Sequence, residues 1–242
     1  MSETDYSLSY QAIGIVRSPF KQKFAIPRQP NLVREARGEI LLFKDFATTD
    51  AFRELETFSH LWLLFHFHGT AEQGWTPTVQ PPRLGGKQRV GVFASRSPFR
   101  PNPIGLSALE NLGVEQRDEE LVLKVGGIDV LDGTPVLDIK PYIPYADSIP
   151  DATGGFAQSA PGTDQTVEFS GAAESMLASL AGRYPELRQF ITAILRQDPR
   201  PAWRMKPKDE KRYGMSLYDL NIKWELQDDV AVVLSITEEN PD

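Results

Sequence analysis

The chain has 242 residues, of which 40% are hydrophobic and 24% charged, and this is ordinary for a soluble globular protein of one or two domains. Its net charge is −7 and it has no cysteine, which excludes disulfides, thiolate metal sites and cysteine nucleophiles. No run of about 18 apolar residues predicts a membrane span, and the acidic N-terminus lacks the layout of a signal peptide. We therefore expect a cytoplasmic protein with no membrane partner.

Residues 1–150 predict a β-rich unit. Short apolar or alternating runs predict strands at residues 10–16, 38–43, 61–68, 90–94, 120–125 and 136–139. One stretch, residues 49–58, has apolar residues at helical spacing. Many short strands with a single helix favour an antiparallel barrel or sandwich over a doubly wound sheet.

The remainder predicts a smaller α+β domain at residues 167–242, behind a linker at 151–166 that is rich in Gly, Pro and small polar residues. Helices are expected at 172–181 and 186–196, with Pro185 next to the start of the second. Residues 217–226 and 230–236 alternate as a hairpin. The fold class is mainly β or α+β: an N-terminal β-barrel with a C-terminal α+β domain.

Charge is segregated along the chain. Residues 73–109 contain no acid, but they contain Arg83, Lys87, Arg89, Arg96 and Arg100. A basic face on an acidic protein can meet phosphate, because the local potential governs encounter more than the net charge does. The alternative is a set of unrelated solvated loops.

Residues 91–107 form the most informative segment. Pro98, Pro101 and Pro103 fix the backbone and predict a loop that is neither helix nor central strand. Arg96, Arg100 and Asn102 project from this stiff loop, which suits recognition of a carboxylate or phosphate. A solvated surface loop is the alternative.

Other polar segments are weaker candidates. Pro27, Arg28 and Gln29 lie in a basic loop, and the carboxylates Asp129 and Asp132 flank a turn. His60, His66 and His68 have the same parity, so a strand would place them on one face and a zinc site is an alternative to core histidines. In the second domain, Arg200, Trp203 and Arg204 combine arginine with an aromatic ring, which suits binding of single-stranded RNA. The alternative is a buried tryptophan with arginines at its rim.

No common nucleotide or hydrolase motif is present. The G-x-G-x-x-G fingerprint, the P-loop, the G-x-S-x-G elbow and H-E-x-x-H are all missing from the sequence. The sequence therefore contains no motif that indicates a hydrolase or a kinase.

Residues 91–107, the Pro27-Arg28-Gln29 string and the segment from Asp129 to Tyr142 together resemble the TrmO (TsaA-like) family of tRNA methyltransferases. The resemblance implies a β-barrel, a homodimer with its site near the subunit interface, and S-adenosyl-L-methionine as methyl donor without a metal. The substrate it implies is threonylcarbamoyladenosine beside the anticodon, in tRNA with threonine-type anticodons.

The resemblance also implies roles for individual residues. Those expected around the cofactor are Pro27, Arg28, Gln29, His68, Gly69, Arg96, Leu106, Gly126, Gly127, Ile128 and Asp129. Arg100, Asn102, Arg200 and Trp203 are expected to bind tRNA. Asp132 is the expected catalytic base and Asp138 its alternative. A non-enzymatic RNA-binding protein, or a methyltransferase acting on another small molecule or nucleic acid, remains open.

Overall fold

A computed structural model of the protein describes residues 6–162, 164–200 and 211–239. The strands of its first unit are β1 (Gly14–Arg17), β2 (Arg37–Leu42), β3 (His60–His66), β4 (Thr78–Val79), β5 (Val90–Gly91), β6 (Ile104–Arg117), β7 (Glu120–Gly126) and β8 (Pro135–Pro141). They form a closed antiparallel barrel in the order β1-β2-β7-β6-β3-β8, with β4 and β5 paired separately. The predicted barrel is confirmed.

Alternation along β3 shows how the barrel forms. Leu61, Leu63 and Phe65 are buried, whereas the residues between them are only partly covered. Successive side chains of a strand point to opposite faces, so one set fills the barrel and the other lies outside it. Both edges of β3 are paired, with β6 and with β8.

Two local expectations were wrong. The helix expected at 49–58 is instead a pair of short 3₁₀ turns, Thr49–Phe52 and Leu55–Thr57. They are separated at Glu54, whose φ of 67° lies in the left-handed region, which an α-helix cannot include. The strand expected at 90–94 is only the two residues of β5, followed by a 3₁₀ turn at Val92–Ala94.

The end of β3 also differs from the expectation. The strand ends at His66, and His68 begins the short helix α1 (His68–Ala71). His66 and His68 therefore do not share a strand face, so the spacing argument for a zinc site fails. His68 is therefore the first residue of a helix and not part of the strand.

The second unit follows the short helix α2 (Pro144–Asp147). Its elements are β9 (Thr166–Phe169), α3 (Gly171–Leu180), α4 (Leu187–Arg196), β10 (Arg212–Leu217), β11 (Leu220–Gln227) and β12 (Val230–Glu238). They form a four-stranded sheet in the order β10-β11-β12-β9, in which β9 runs parallel to β12. The hairpin expected after residue 217 is present, but its first strand is divided by a turn at Tyr218, where φ is 58°.

Local signals explain both helices of this unit. The Ser170 hydroxyl accepts a hydrogen bond from the Ala173 amide at 3.2 Å and so caps α3. In α4, Leu187, Phe190, Ile191, Ile194 and Leu195 are buried, a spacing that gives the helix one apolar face. Within the described ranges, no helix is long and apolar enough to cross a membrane.

The β1–β2 loop (residues 18–36) joins the two units. Phe20 is fully buried, bridges Leu217 of β10 and lies 5.9 Å from the Phe190 ring of α4. Phe24 stacks on Tyr213 of β10, with ring centroids 6.2 Å apart. A long loop of the barrel therefore takes much of its packing from the C-terminal sheet and helix.

Candidate active site

A cleft of about 530 Å³ opens where the β1–β2 loop, the end of β3, the start of β6 and the turn after β7 meet. Of the predicted site residues it is lined by Pro27, Arg28, Gln29, His68, Gly69, Arg96, Arg100, Leu106 and Asp129. These residues are far apart in sequence, so the barrel topology brings them together.

Arg96 ties the two loops at the mouth of the cleft. Its guanidinium donates a hydrogen bond to Oε1 of Gln29 in the β1–β2 loop. Arg96 and Arg28 are both exposed, so their charges remain available to an anion. The resulting basic edge suits a carboxylate or a phosphate.

Arg100 stiffens the proline-rich loop from within. Its Nη1 donates to the Ser95 carbonyl oxygen at 2.7 Å, and the guanidinium lies 6.0 Å from the centroid of the Phe93 ring. These contacts and the prolines hold Arg96 in place. Asn102 is exposed but is not among the residues that line the cleft.

Part of the cleft lining is apolar. Leu106 is 51% exposed on the outer face of β6, and Trp62, Phe67 and Ile104 lie in the same lining. Exposed apolar side chains grouped in a concave surface are typical of a site for a flat ring such as adenine.

His68 lies at the polar end of the cleft. Its Nδ1 is 3.2 Å from the Thr134 hydroxyl, and Lys23 Nζ donates to the carbonyl oxygen of Gly69 at 2.5 Å. Burial lowers the pKa of His68, and His66 and Lys23 lower it further. Near neutral pH this imidazole is therefore uncharged, and one of its ring nitrogens donates a hydrogen bond while the other accepts one.

Asp129 is the acidic residue of the lining. The Ser107 hydroxyl donates to its Oδ1 at 2.7 Å. Burial raises the pKa of Asp129 to about 6, although the Ser107 hydrogen bond and the Arg96 charge oppose the rise. A carboxylate with a pKa close to neutrality can take up and release a proton under working conditions.

The turn before Asp129 is fixed by Gly127. Its φ is 67°, and a Cβ at this position would clash with the side chain of Asn31. Gly126, Gly127 and Ile128 are buried and, unlike Asp129, do not line the cleft. Of this turn, only Asp129 lines the cleft.

The expected base Asp132 also lies outside the lining. Its Oδ1 accepts from the Ser18 amide at 2.8 Å, and its Oδ2 is 2.7 Å from Lys21 Nζ. The alternative, Asp138, accepts from the Ile139 amide at 2.9 Å and pairs with Lys140 at 2.7 Å. Both carboxylates are engaged in local contacts.

The expected tRNA-binding residues of the second unit lie elsewhere. Arg200 is only 5% exposed and pairs with Asp198 through its Nε at 2.8 Å. It lines a second cavity of about 410 Å³, between the β1–β2 loop and α4, that shares Lys23, Ile26, Pro27 and Arg28 with the cleft. Trp203 and Arg204 lie outside the described residues.

Some residues of the cleft were missed by sequence reasoning, namely Lys23, Trp62, Phe65, Phe67, Ile104, Ser107 and Thr134. The alternation of β3 offered a signal for Trp62, which lies opposite the buried leucines. Ser107 and Asp129 continue the register of the β6–β7 hairpin, in which Glu110 lies opposite Gly126. Because β6 was not predicted as a strand, this pairing was not predicted either. Within the described ranges, no group of His, Asp and Glu side chains is arranged to hold a metal ion.

Known proteins resemble this chain along nearly its whole length. Residues 15–148 match the tRNA-methyltransferase O N-terminal domain and residues 163–239 the TrmO C-terminal domain. The chain is 52% identical over 222 residues to the tRNA (adenine(37)-N6)-methyltransferase of Escherichia coli K12, covering 92% of this chain and 94% of that protein. A human protein of the same name is 40% identical over 144 residues, covering 59% of this chain and 32% of that protein.

A solved structure gives the same result. The crystal structure of TrmO from Pseudomonas aeruginosa matches with a TM-score of 0.81 at 40% identity, covering 97% of this chain and 99% of that one. The two family domains, the barrel and the sequence identity agree. The chain belongs to the TrmO family.

Proposed function

We propose that this chain is an S-adenosylmethionine-dependent tRNA methyltransferase that acts on the exocyclic N6 of adenosine 37, in its threonylcarbamoyl form. The observation that carries the proposal is the cleft of a TrmO-family chain, whose lining combines apolar side chains with several arginines. An E. coli relative named tRNA (adenine(37)-N6)-methyltransferase, matched along 94% of its length, supports the reaction.

The residues of the cleft fit S-adenosylmethionine chemically. Leu106 and Trp62 would pack on the adenine, and Arg28 and Arg96 would pair with the methionine carboxylate. Uncharged His68 would add no repulsion toward a cationic sulfonium. When bound, this cofactor supplies an electrophilic methyl group.

The weak nucleophilicity of N6 determines what the protein must contribute to the reaction. The N6 of threonylcarbamoyladenosine is conjugated to both the purine and the carbamoyl carbonyl, so it is a poor nucleophile. Holding it in line, about 3 Å from the methyl carbon, can supply much of the acceleration, and a base can supply more. The basic loops that carry Arg96 and Arg89 would meet the tRNA backbone, since phosphate contacts dominate such binding.

Mass spectrometry of nucleosides tests the substrate. The protein is incubated with S-adenosylmethionine and a threonine-anticodon tRNA that carries threonylcarbamoyladenosine, and the digest is searched for the N-methylated nucleoside. The matched control is the same tRNA transcribed without the modification. We expect product only from the modified tRNA, and equal methylation of both would refute the threonylcarbamoyl specificity.

Binding without turnover identifies the competing class. A non-enzymatic RNA-binding protein would bind tRNA yet show no heat of S-adenosylmethionine binding in calorimetry. A methyltransferase with another substrate would bind the cofactor but leave every tRNA unmodified.

The proposed assembly is a homodimer working in the cytoplasm, where its tRNA substrate is modified. Its support in this chain is the strip of exposed apolar residues on β6, where Ile104 and Leu112 are each 39% exposed and Val114 is 37% exposed. Ile104 and Leu106 at the start of the strip also line the cleft, so a partner seated on the strip would lie beside the site.

A further inference from the structure

We propose that the Asp129 carboxylate, oriented by Ser107, accepts the proton that the adenosine nitrogen loses during methyl transfer. The assignment rests on the proposed function and gives Asp129 a role beyond contact with the cofactor.

Position is the first argument. Asp129 is the acidic residue among those that line the cleft, and it follows a turn that Gly127 fixes. Ser107 is 2% exposed and bonds to one oxygen, Oδ1. The carboxylate also accepts a hydrogen bond from its own backbone amide. Among the described residues no lysine or arginine forms an ion pair with Asp129, and Oδ2 makes no hydrogen bond to another side chain, so it can receive a proton.

The other carboxylates are less suited. Asp132 is held on both oxygens, by the Ser18 amide and by Lys21. Asp138 is held by the Ile139 amide and by Lys140. Neither lines the cleft, and each already forms an ion pair with a lysine.

The step is balanced as follows. The adenosine nitrogen forms a bond to the methyl carbon while the bond from that carbon to sulfur breaks, which leaves S-adenosylhomocysteine. The nitrogen gives its proton to Oδ2 of Asp129, and the neutral carboxyl later returns the proton to water. Negative charge on Asp129 also stabilises the positive charge that develops on the nitrogen.

The other charged and titratable groups that line the cleft are Lys23, Arg28, Arg96, Arg100 and His68. Burial raises the pKa of Asp129 to about 6 and lowers the pKa of His68 from its usual value. Since a base must be deprotonated to act, the rate constant should rise with pH through about 6 and then level off.

The test uses Asp129→Asn in the full chain, with Asp151→Asn on the exposed linker as matched control. We expect the single-turnover rate constant on modified tRNA to fall about 10²- to 10⁴-fold and its pH dependence near 6 to vanish. S-adenosylmethionine affinity, measured by calorimetry, should change less than about threefold. Asp151→Asn should behave as wild type.

Ser107→Ala gives an independent readout. Because the Ser107 hydrogen bond lowers the pKa of Asp129, its loss should move the rise in rate to higher pH. A carbon-13 NMR titration of the aspartate carboxyls, without cofactor or tRNA, should show the same displacement for the signal that Asp129→Asn removes.

Three outcomes would overturn the assignment. The first is near wild-type turnover by Asp129→Asn. The second is a loss of cofactor affinity in Asp129→Asn as large as its loss of rate. The third is a pH dependence that persists in Asp129→Asn but vanishes in His68→Gln. Failure of the proposed function would look different, since wild-type protein would then methylate no tRNA.

Discussion

At the residue scale, Arg96 is the side chain on which cofactor affinity should depend most. It is exposed at the mouth of the cleft and oriented by Gln29. Arg96→Ala should remove a charge-assisted pair with the methionine carboxylate worth roughly 1.5–3 kcal/mol, or about 10- to 150-fold in affinity. Calorimetry with S-adenosylmethionine measures this directly.

Arg89 provides the matched control for Arg96. It belongs to the same acid-free segment, but it bonds to Thr78 and does not line the cleft. Arg89→Ala should therefore leave the cofactor affinity unchanged. Equal losses in both variants would mean that general positive charge, and not a pair with Arg96, holds the cofactor.

The candidate site was predictable in part. Prolines and motif resemblance grouped Arg28, Arg96 and Leu106, and the structure places all three in the lining of one cleft. Side-chain burial and contacts between distant residues could not be predicted from the sequence. For this reason Asp132 was favoured as the base, although Asp129 is the carboxylate that lines the cleft. The Ser107–Asp129 hydrogen bond continues the register of the β6–β7 hairpin, which could not be predicted because β6 itself was missed.

At the element scale, the β1–β2 loop should depend on the second unit for its shape. Phe24 packs on Tyr213 of β10, and it lies just before Pro27 and Arg28, which line the cleft. Phe24→Ala should remove an aromatic pair that stabilises the loop conformation by about 0.5–1.5 kcal/mol. The binding-competent loop would then be less populated, and S-adenosylmethionine binding should weaken about 2- to 13-fold.

Tyr184→Ala is the control for this loop. It removes a stacked pair with Tyr218 that lies inside the second unit, at 4.7 Å between centroids. It should lower the melting temperature without altering cofactor affinity at 25 °C. A folded Phe24→Ala variant with wild-type affinity would show that the loop holds its shape unaided.

Strands with clear alternation were predictable, but those that depend on pairing were not. β3 and β12 follow period-two patterns. β6 was missed because Pro101 and Pro103 indicate a loop and its second half carries many polar residues. Pairing with β3 on one edge and β7 on the other makes it a strand nevertheless.

At the scale of the whole molecule, the net charge of −7 hides an uneven distribution. The cleft is lined by Lys23, Arg28, Arg96 and Arg100 against Asp129, so an acidic protein presents a basic site. Local potential of this kind concentrates an anionic partner at the site and leaves the rest of the surface repulsive to it.

We expect the protein to be a homodimer in solution. If a second copy covers the apolar strip of β6, Leu112→Glu would bury a charge there and weaken the dimer by about 2 kcal/mol or more, roughly 30-fold in its dissociation constant. Light scattering at micromolar concentration should then show the mass falling from that of two chains toward that of one. Ile149→Glu, at a position 70% exposed and away from β6, is the matched control and should remain dimeric. A monomeric wild type, or a Leu112→Glu variant as dimeric as wild type, would contradict a dimer built on this strip.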